Sequence, residues 1–510
     1  MHFRVSKLFI YLGVFVFIFF LLKENALANN VNNSNEIVVT ASKVKQEIDI
    51  TPTYAQVVTE KKIERFGDHL FVTNLLNQLP GVFVSQSGGI GGIANMFIRG
   101  LPVIPKVMMD GVDVESPYYP LPRFNFNSLL PDNINRIEIL QGAQSGLWGA
   151  NAASGVVNII TKKGRGRPHI SLKQTYGSFG TTNEYLAFSG QERNISFYLS
   201  GAAFDTTGIP QTYSWDRSTG SYSRGGKRDG YHRYSFYNNL GYDFGNGLMV
   251  HWIFNTYRST QYNDICKRTK NNPVCPNNSA PSNLTPQALS NRKEVHFYFT
   301  KFNVRKKFKN FKFNLETHYV QNNVYYYSPP KPCPWWKGKK YGSSFNVNYK
   351  FLKNTIFVTG ANFDKDRAIY DYPSEIDISR KHFGGFLELL QAVGNLRLQL
   401  NGREDHYETF GNTFTYKIGT DYFLESTGTI VKSNWGTGFV PPSLLFLYGK
   451  KVPHKHRVIE GNPNLSPEKS QTFDVGFIQK IGSKVRISAT FFWSKINNML
   501  VFKIYSNIFT

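Results

Sequence analysis

Cysteine is nearly absent from this chain, with three in 510 residues. Cys266 and Cys275 stand close together in a Pro/Asn-rich segment, and Cys333 is left over. Their spacing, with no neighbouring histidine, is not that of zinc ligands. A loop disulfide between Cys266 and Cys275 fits an oxidising compartment. Acidic residues are also scarce, 35 against 59 Lys plus Arg, which leaves a net charge of +24. That balance suits anionic lipid, anionic ligands or nucleic acid. The basic residues are scattered rather than gathered in one long run, so no nucleic-acid partner is expected. Beyond Leu22 no apolar run approaches the roughly 20 residues of a membrane helix. Reaction chemistry is missing too: no nucleophile elbow, zinc helix, Ser/His/Asp order or paired acid/base carboxylates occur. An enzyme is therefore not expected.

What the chain does contain begins with an export signal. Arg4 and Lys7 precede an apolar run over residues 8–22, and Ala26, Leu27 and Ala28 supply a small-x-small cleavage site. Aromatics make up 15% of residues, as many short strands would require. From residue 166 onward, alternating segments of about ten residues are separated by turns, the pattern of transmembrane strands. The clearest pair is Tyr234, Phe236, Asn238, Leu240 and Tyr242, then Gly245, Asn246 and Gly247, then Leu248, Val250, Trp252 and Phe254. Period two on both sides of a glycine turn predicts a hairpin. Long polar connections at 205–229, 260–292, 327–341 and 448–465 alternate with tight turns at 245–247, 307–310 and 352–354. A soluble sandwich would also alternate, but this asymmetry of loops favours a transmembrane barrel with the long loops outside.

Residues 129–164 organise the rest. They read as a strand containing Ile134, Ile137 and Ile139, a glycine-punctuated turn with an exposed Trp148, and a second strand from Val156 to Ile160. Upstream, residues 61–79 carry helical periodicity broken near Gly67. Pro80 and Gly81 end it, and short strands follow on either side of a loop at 88–92. That glycine loop lacks the helix and the Lys-Ser/Thr pair of a phosphate site.

The landmarks Leu79, Pro80, Gly81; Arg99, Gly100; Asp110, Gly111; Arg136, Glu138; and Gly142, Ser145, Gly149, Asn158 occur in the order found in the plug domain of TonB-dependent outer-membrane receptors, which residues 36–165 resemble. Ala143 stands where that family usually has Pro, and Trp148 where it has Tyr. A later string, Gly461, Asn462, Pro463, Asn464, Leu465, resembles a barrel motif of the same family, and the layout is similar to its cobalamin-receptor branch.

The resemblance implies a mostly β fold: an antiparallel transmembrane β-barrel with an N-terminal α+β plug domain in the lumen. It divides the chain into a signal peptide (1–28), a leader with a TonB box (29–41), a plug (42–165) and a barrel (166–510). The box is Glu36, Ile37, Val38, Val39, Thr40 and Ala41, whose exposed backbone groups would add as a strand to a partner's sheet. Partners implied are TonB with its inner-membrane energy complex, outer-membrane lipid and lipopolysaccharide. The implied ligand is a ferric siderophore first, cobalamin second and haem third. His454 and His456 are the candidate haem ligands, and a solvated loop is the plainer reading of them. No resident cofactor is expected, apart from a loop calcium on Asp205, Asp216 and Asp229, for which a solvated loop is again the plainer alternative.

Roughly sixteen alternating segments follow residue 166, against about 22 in a plugged transporter barrel. The expectation is a receptor truncated at its C-terminus; the alternative is a smaller barrel that closes with fewer strands. Two further readings stand beside uptake: a non-transporting surface barrel serving adhesion or phage and bacteriocin attachment, and a defunct receptor.

Overall fold

The computed structural model describes residues 37–38, 40–66, 71–119, 124–209, 213–216, 221–224, 229–263, 291–327, 335–371, 375–449, 452–454, 457–459, 461–482 and 485–500. Cys266, Cys275, Glu36, Val39 and His456 lie outside them.

Fifteen strands form one antiparallel sheet, from His169–Gly177 to Val485–Asn497, each hydrogen-bonded to the next. The 234–254 hairpin forms as expected: Tyr231–Asp243 pairs with Leu248–Asn263. Its turn uses Gly245 and Gly247 at positive φ (76° and 81°), and the Asn246 side chain accepts from the Leu248 N–H. The fifteen strands among the described residues agree with the roughly sixteen alternating segments. Tyr213–Asp216 and Ser221–Arg224, which also alternate, pair with each other as a separate hairpin in a long connection. The 327–341 connection is shorter than expected, because the next strand already begins at Trp335.

Which side chains face outward separates this sheet from a soluble sandwich. On Leu396–Tyr407 the inward row is Gln399, Asn401, Arg403 and Asp405, all buried, whereas Leu400 faces out. On Gly411–Leu424 the inward row holds Thr413, Thr415, Lys417 and Asp421, and Phe414, Ile418 and Tyr422 are exposed. Polar residues in and apolar residues out is the inverse of water-soluble packing, and it is how a barrel wall meets hydrocarbon.

Inside the wall sits the N-terminal domain. Its five-stranded sheet runs in the order Ala55–Thr59, Ile134–Gln141, Gly155–Thr161, Lys106–Met109, Val112–Asp113, with Lys106–Met109 parallel to Gly155–Thr161. The helical stretch at 61–79 resolves into Glu60–Arg65, capped by the Thr59 hydroxyl, and Val72–Leu76. Val82–Ser87 and Ile93–Ile98 make a separate hairpin. Ile137, Ile139, Val107, Val157 and Ile159 are fully buried, each contributing about 1.5–3 kcal/mol by leaving water. Tyr198, Tyr237 and Phe297 of the wall belong to the same buried cluster. Plug and wall therefore share a core.

Candidate functional site

The plug landmarks fall into two groups, one that fastens the plug to itself and to the wall, and one that holds the box. In the first, the Arg99 N–H donates to the Gly81 carbonyl at 2.7 Å, stapling the two turns, and Gln56 and Gln141 both donate to the Pro80 carbonyl. Leu79 packs against the plug core, and Gly100 turns the chain at φ 68°. The Arg99 guanidinium pairs with Asp474 of the wall and lies 4.8 Å over the Phe492 ring. Gly142, at φ 83°, passes so close that a β-carbon there would stand 3.1 Å from the Asp474 carboxylate. Gly149, at φ 69°, is likewise pressed against Arg403.

The turn between the two central strands is a single helical turn, Ser145–Trp148. Ser145 Oγ accepts from the Phe439 N–H at 3.3 Å, and Asn151 N–H donates to the Phe439 carbonyl at 2.9 Å. The landmark Ser145 thus meets a wall strand far along the chain.

The second group converges on Thr40. Glu138 Oε2 accepts from the Thr40 N–H at 2.7 Å, and Arg136 donates to Glu138 Oε1 at 2.8 Å. Asn158 donates to Thr40 Oγ1 at 2.9 Å and accepts from the Gly111 N–H at 3.1 Å. Trp148 Nε1 donates to the Thr40 carbonyl at 2.8 Å. On the wall, Gln399 donates to the Ala41 carbonyl at 2.7 Å. Val38, Thr40 and Ala41 are buried, and Ile37–Val38 pairs with Gln46–Glu47. Two expectations are corrected here. In the described part of the box the N–H and C=O of Thr40 and the C=O of Ala41 are taken rather than free. Trp148 is half-buried rather than exposed, with Lys43 stacked 4.4 Å above its ring. Asp110 turns at φ 50° and accepts from both the N–H and the hydroxyl of Thr161. Burial pushes its carboxyl above the usual range.

At the other end of the wall, where the long connections lie, plug residues Tyr118 and Tyr119 meet Trp336, Tyr326 and Tyr370. Lys337 lies 4.0 Å over Trp335, and Arg292 4.2 Å over Tyr327. Just below, Asp113 pairs with Lys340 of the wall at 2.9 Å. Burial opposes its charge, but Lys340 and Lys106 hold Asp113 below the usual range. Beside it, burial and then Asp113 push Glu115 up to about 8. Between plug and wall runs a cavity of about 860 Å³.

The calcium and haem candidates are not assembled among the described residues. Asp205 pairs with His232, Asp229 is buried, and the side chains of Asp216 and His454 lie outside what is described, as does His456. Sequence reasoning missed Gln399, Asp474 and Lys340. Their only signal is an inward position on an alternating strand, legible once the outward face is known.

Comparisons with known proteins agree with this architecture. Residues 170–510 match the family described as "TonB dependent receptor-like, beta-barrel", and residues 47–156 match "TonB-dependent Receptor Plug Domain". The vitamin B12 transporter BtuB of Vibrio cholerae is 23% identical over 505 residues, covering 94% of this chain and 74% of that protein. The siderophore receptor PirA of Acinetobacter baumannii superposes with a TM-score of 0.67 at 17% identity, over 87% of this chain and 70% of that one. A variant of the ferric enterobactin receptor PfeA of Pseudomonas aeruginosa, in complex with enterobactin, gives 0.69 at 17% identity, over 87% and 72%. With the barrel match spanning most of its length and the plug match before it, the chain belongs to the TonB-dependent receptor family.

Proposed function

We propose that this protein takes up a scarce metal chelate across the outer membrane, with energy supplied through residues 36–41 by TonB and its inner-membrane complex. The observation that carries this reading is the grip on Thr40. Glu138, Asn158 and Trp148 belong to three different plug elements, and all three hold one residue of the box. Strand addition to a partner needs the backbone N–H and C=O that Glu138 and Trp148 occupy. The box is therefore a two-state element: clasped, it is unavailable, and a ligand that favours the released state would shift the balance toward partner binding. Asn158 also holds Gly111, so movement of the 110–111 turn is felt at the box.

Ligand class follows from the loop-end rim. Stacked aromatic faces flanked by Lys337 and Arg292 suit an anionic, aromatic chelate, which favours a ferric siderophore over cobalamin, with haem third. The siderophore receptors among the structural relatives and the B12 transporter among the sequence relatives support the same two classes. Export by the 1–28 signal and residence in the outer membrane complete the reading. The rival from another class is a surface barrel that transports nothing.

Deleting residues 36–41 distinguishes the two. Uptake should be abolished while whole cells still bind the ligand; unchanged uptake would sink the energised-transport reading.

A further inference from the structure

The tight-turn end of the lumenal cavity differs in charge from the rest. Lys45, Lys163, Arg165, Arg305, Lys307 and Lys312 line it, together with Gly245 and Gly247 of one turn. Elsewhere in the cavity the acids are engaged: Glu316 with Lys301 at 2.6 Å, Asp113 with Lys340 at 2.9 Å, Asp366 with Arg380 at 3.1 Å. At the turn end the one lining acid is Asp243, whose carboxylate accepts from the Gly245 N–H. None of the six cations has an ion pair among the described residues. Three come from the plug side of the cavity and three from two neighbouring wall strands, so plug docking itself brings like charges together. Burial, then Arg165, Arg305 and Lys45, push the Lys163 ammonium below its usual range. All six side chains are solvent-exposed. They are nonetheless gathered at one mouth of the cavity between plug and wall, where the field is focused and anions accumulate.

We infer that this mouth is an anion-binding site, taking a compact, multiply charged oxyanion between Lys45, Lys163 and Arg165 of the plug and Arg305, Lys307 and Lys312 of the wall. It lies at the opposite end of the molecule from the aromatic rim. Only the source of the anion rests on the transport reading: a cargo chelate on its way out, or free phosphate entering from the turn side.

Pyrophosphate is the probe, titrated calorimetrically into the purified full chain in detergent at low salt. The wild type should bind it, with affinity falling as salt is raised. Lys163→Gln with Lys307→Gln should weaken binding about tenfold or more, through loss of two charge-assisted contacts. Lys469→Gln with Lys495→Gln, an equal charge change on the outer face, should leave it unchanged. No binding by the wild type, or equal weakening by both pairs, overturns the inference; circular dichroism of each variant checks that the sheet has formed. Radioiron accumulation from ferric citrate separates the sources. If the site serves cargo, the Lys163/Lys307 variant accumulates less iron with unchanged surface binding. If it serves free phosphate, accumulation is unaffected and only the titration changes. Failure of the transport reading shows separately, as iron accumulation indifferent to deletion of residues 36–41, while the titration stands by itself.

Discussion

Arg99 sits at φ 55° between a strand end and Gly100, a conformation that costs a side-chain-bearing residue energy. What compensates is its reach: one guanidinium spans Gln141 of the plug, Asp474 of the wall and the face of Phe492. Both charges are almost wholly buried, 2% and 3% exposed. Removing one partner of such a pair leaves the other desolvated and alone, at about 3–5 kcal/mol. Arg99→Ala should therefore lower the stability of the plug within the wall by that amount, seen as a lower urea midpoint for plug release in detergent. Arg99→Lys should recover only part, because one ammonium cannot serve Gln141 and Asp474 from the two separate nitrogens that the guanidinium uses. A change within about 0.5 kcal/mol for Arg99→Ala, the scale of an ordinary surface site, would mean that the pair is not what holds the plug.

At the scale of elements, the box is short and its own ladder is two residues against two. Such a hairpin is not stable alone in water, so the plug's side chains decide whether the segment is docked. Glu138 contributes a charge-assisted bond to the Thr40 N–H, worth about 1.5–3 kcal/mol. Glu138→Ala should raise the docked segment's opening by roughly tenfold or more, at 1.4 kcal/mol per factor of ten. Maleimide labelling of V38C reads this directly, since Val38 is fully buried when docked. Labelling no faster than in the V38C parent would show that the clasp does not control access.

At the scale of the whole molecule, the wall has two edge strands among the described residues. His169–Gly177 is bonded only to Thr181–Glu192, and Val485–Asn497 only to Glu468–Ile481, among the described residues. Backbone groups left unpaired in hydrocarbon cost several kcal/mol each, and side chains on both edge strands are exposed on both faces. Both edges therefore need partners in the membrane, and the protein in a Gram-negative outer membrane should give a fast-migrating band in unboiled gel samples. Absence of that band would mean that the edges stay open.

Much of this was legible beforehand because it is local. Period two marked the wall strands, Gly245 and Gly247 marked a turn that needs positive φ, and Arg136, Glu138 and Asn158 carried the resemblance to a plug domain. The sequence could not tell which way each strand faces, since alternation is the same for a sandwich and a barrel; exposed Phe414 beside buried Lys417 decided it. Nor could it tell that Thr40 is held, because the partners lie 98, 108 and 118 residues away and meet only when three plug elements pack. Motif order and strand period are properties of the chain, determined by covalent neighbours. The clasp on the box, the Arg99–Asp474 latch and the basic mouth exist only because a plug is folded inside a wall, which brings distant charges and backbone groups within bonding reach.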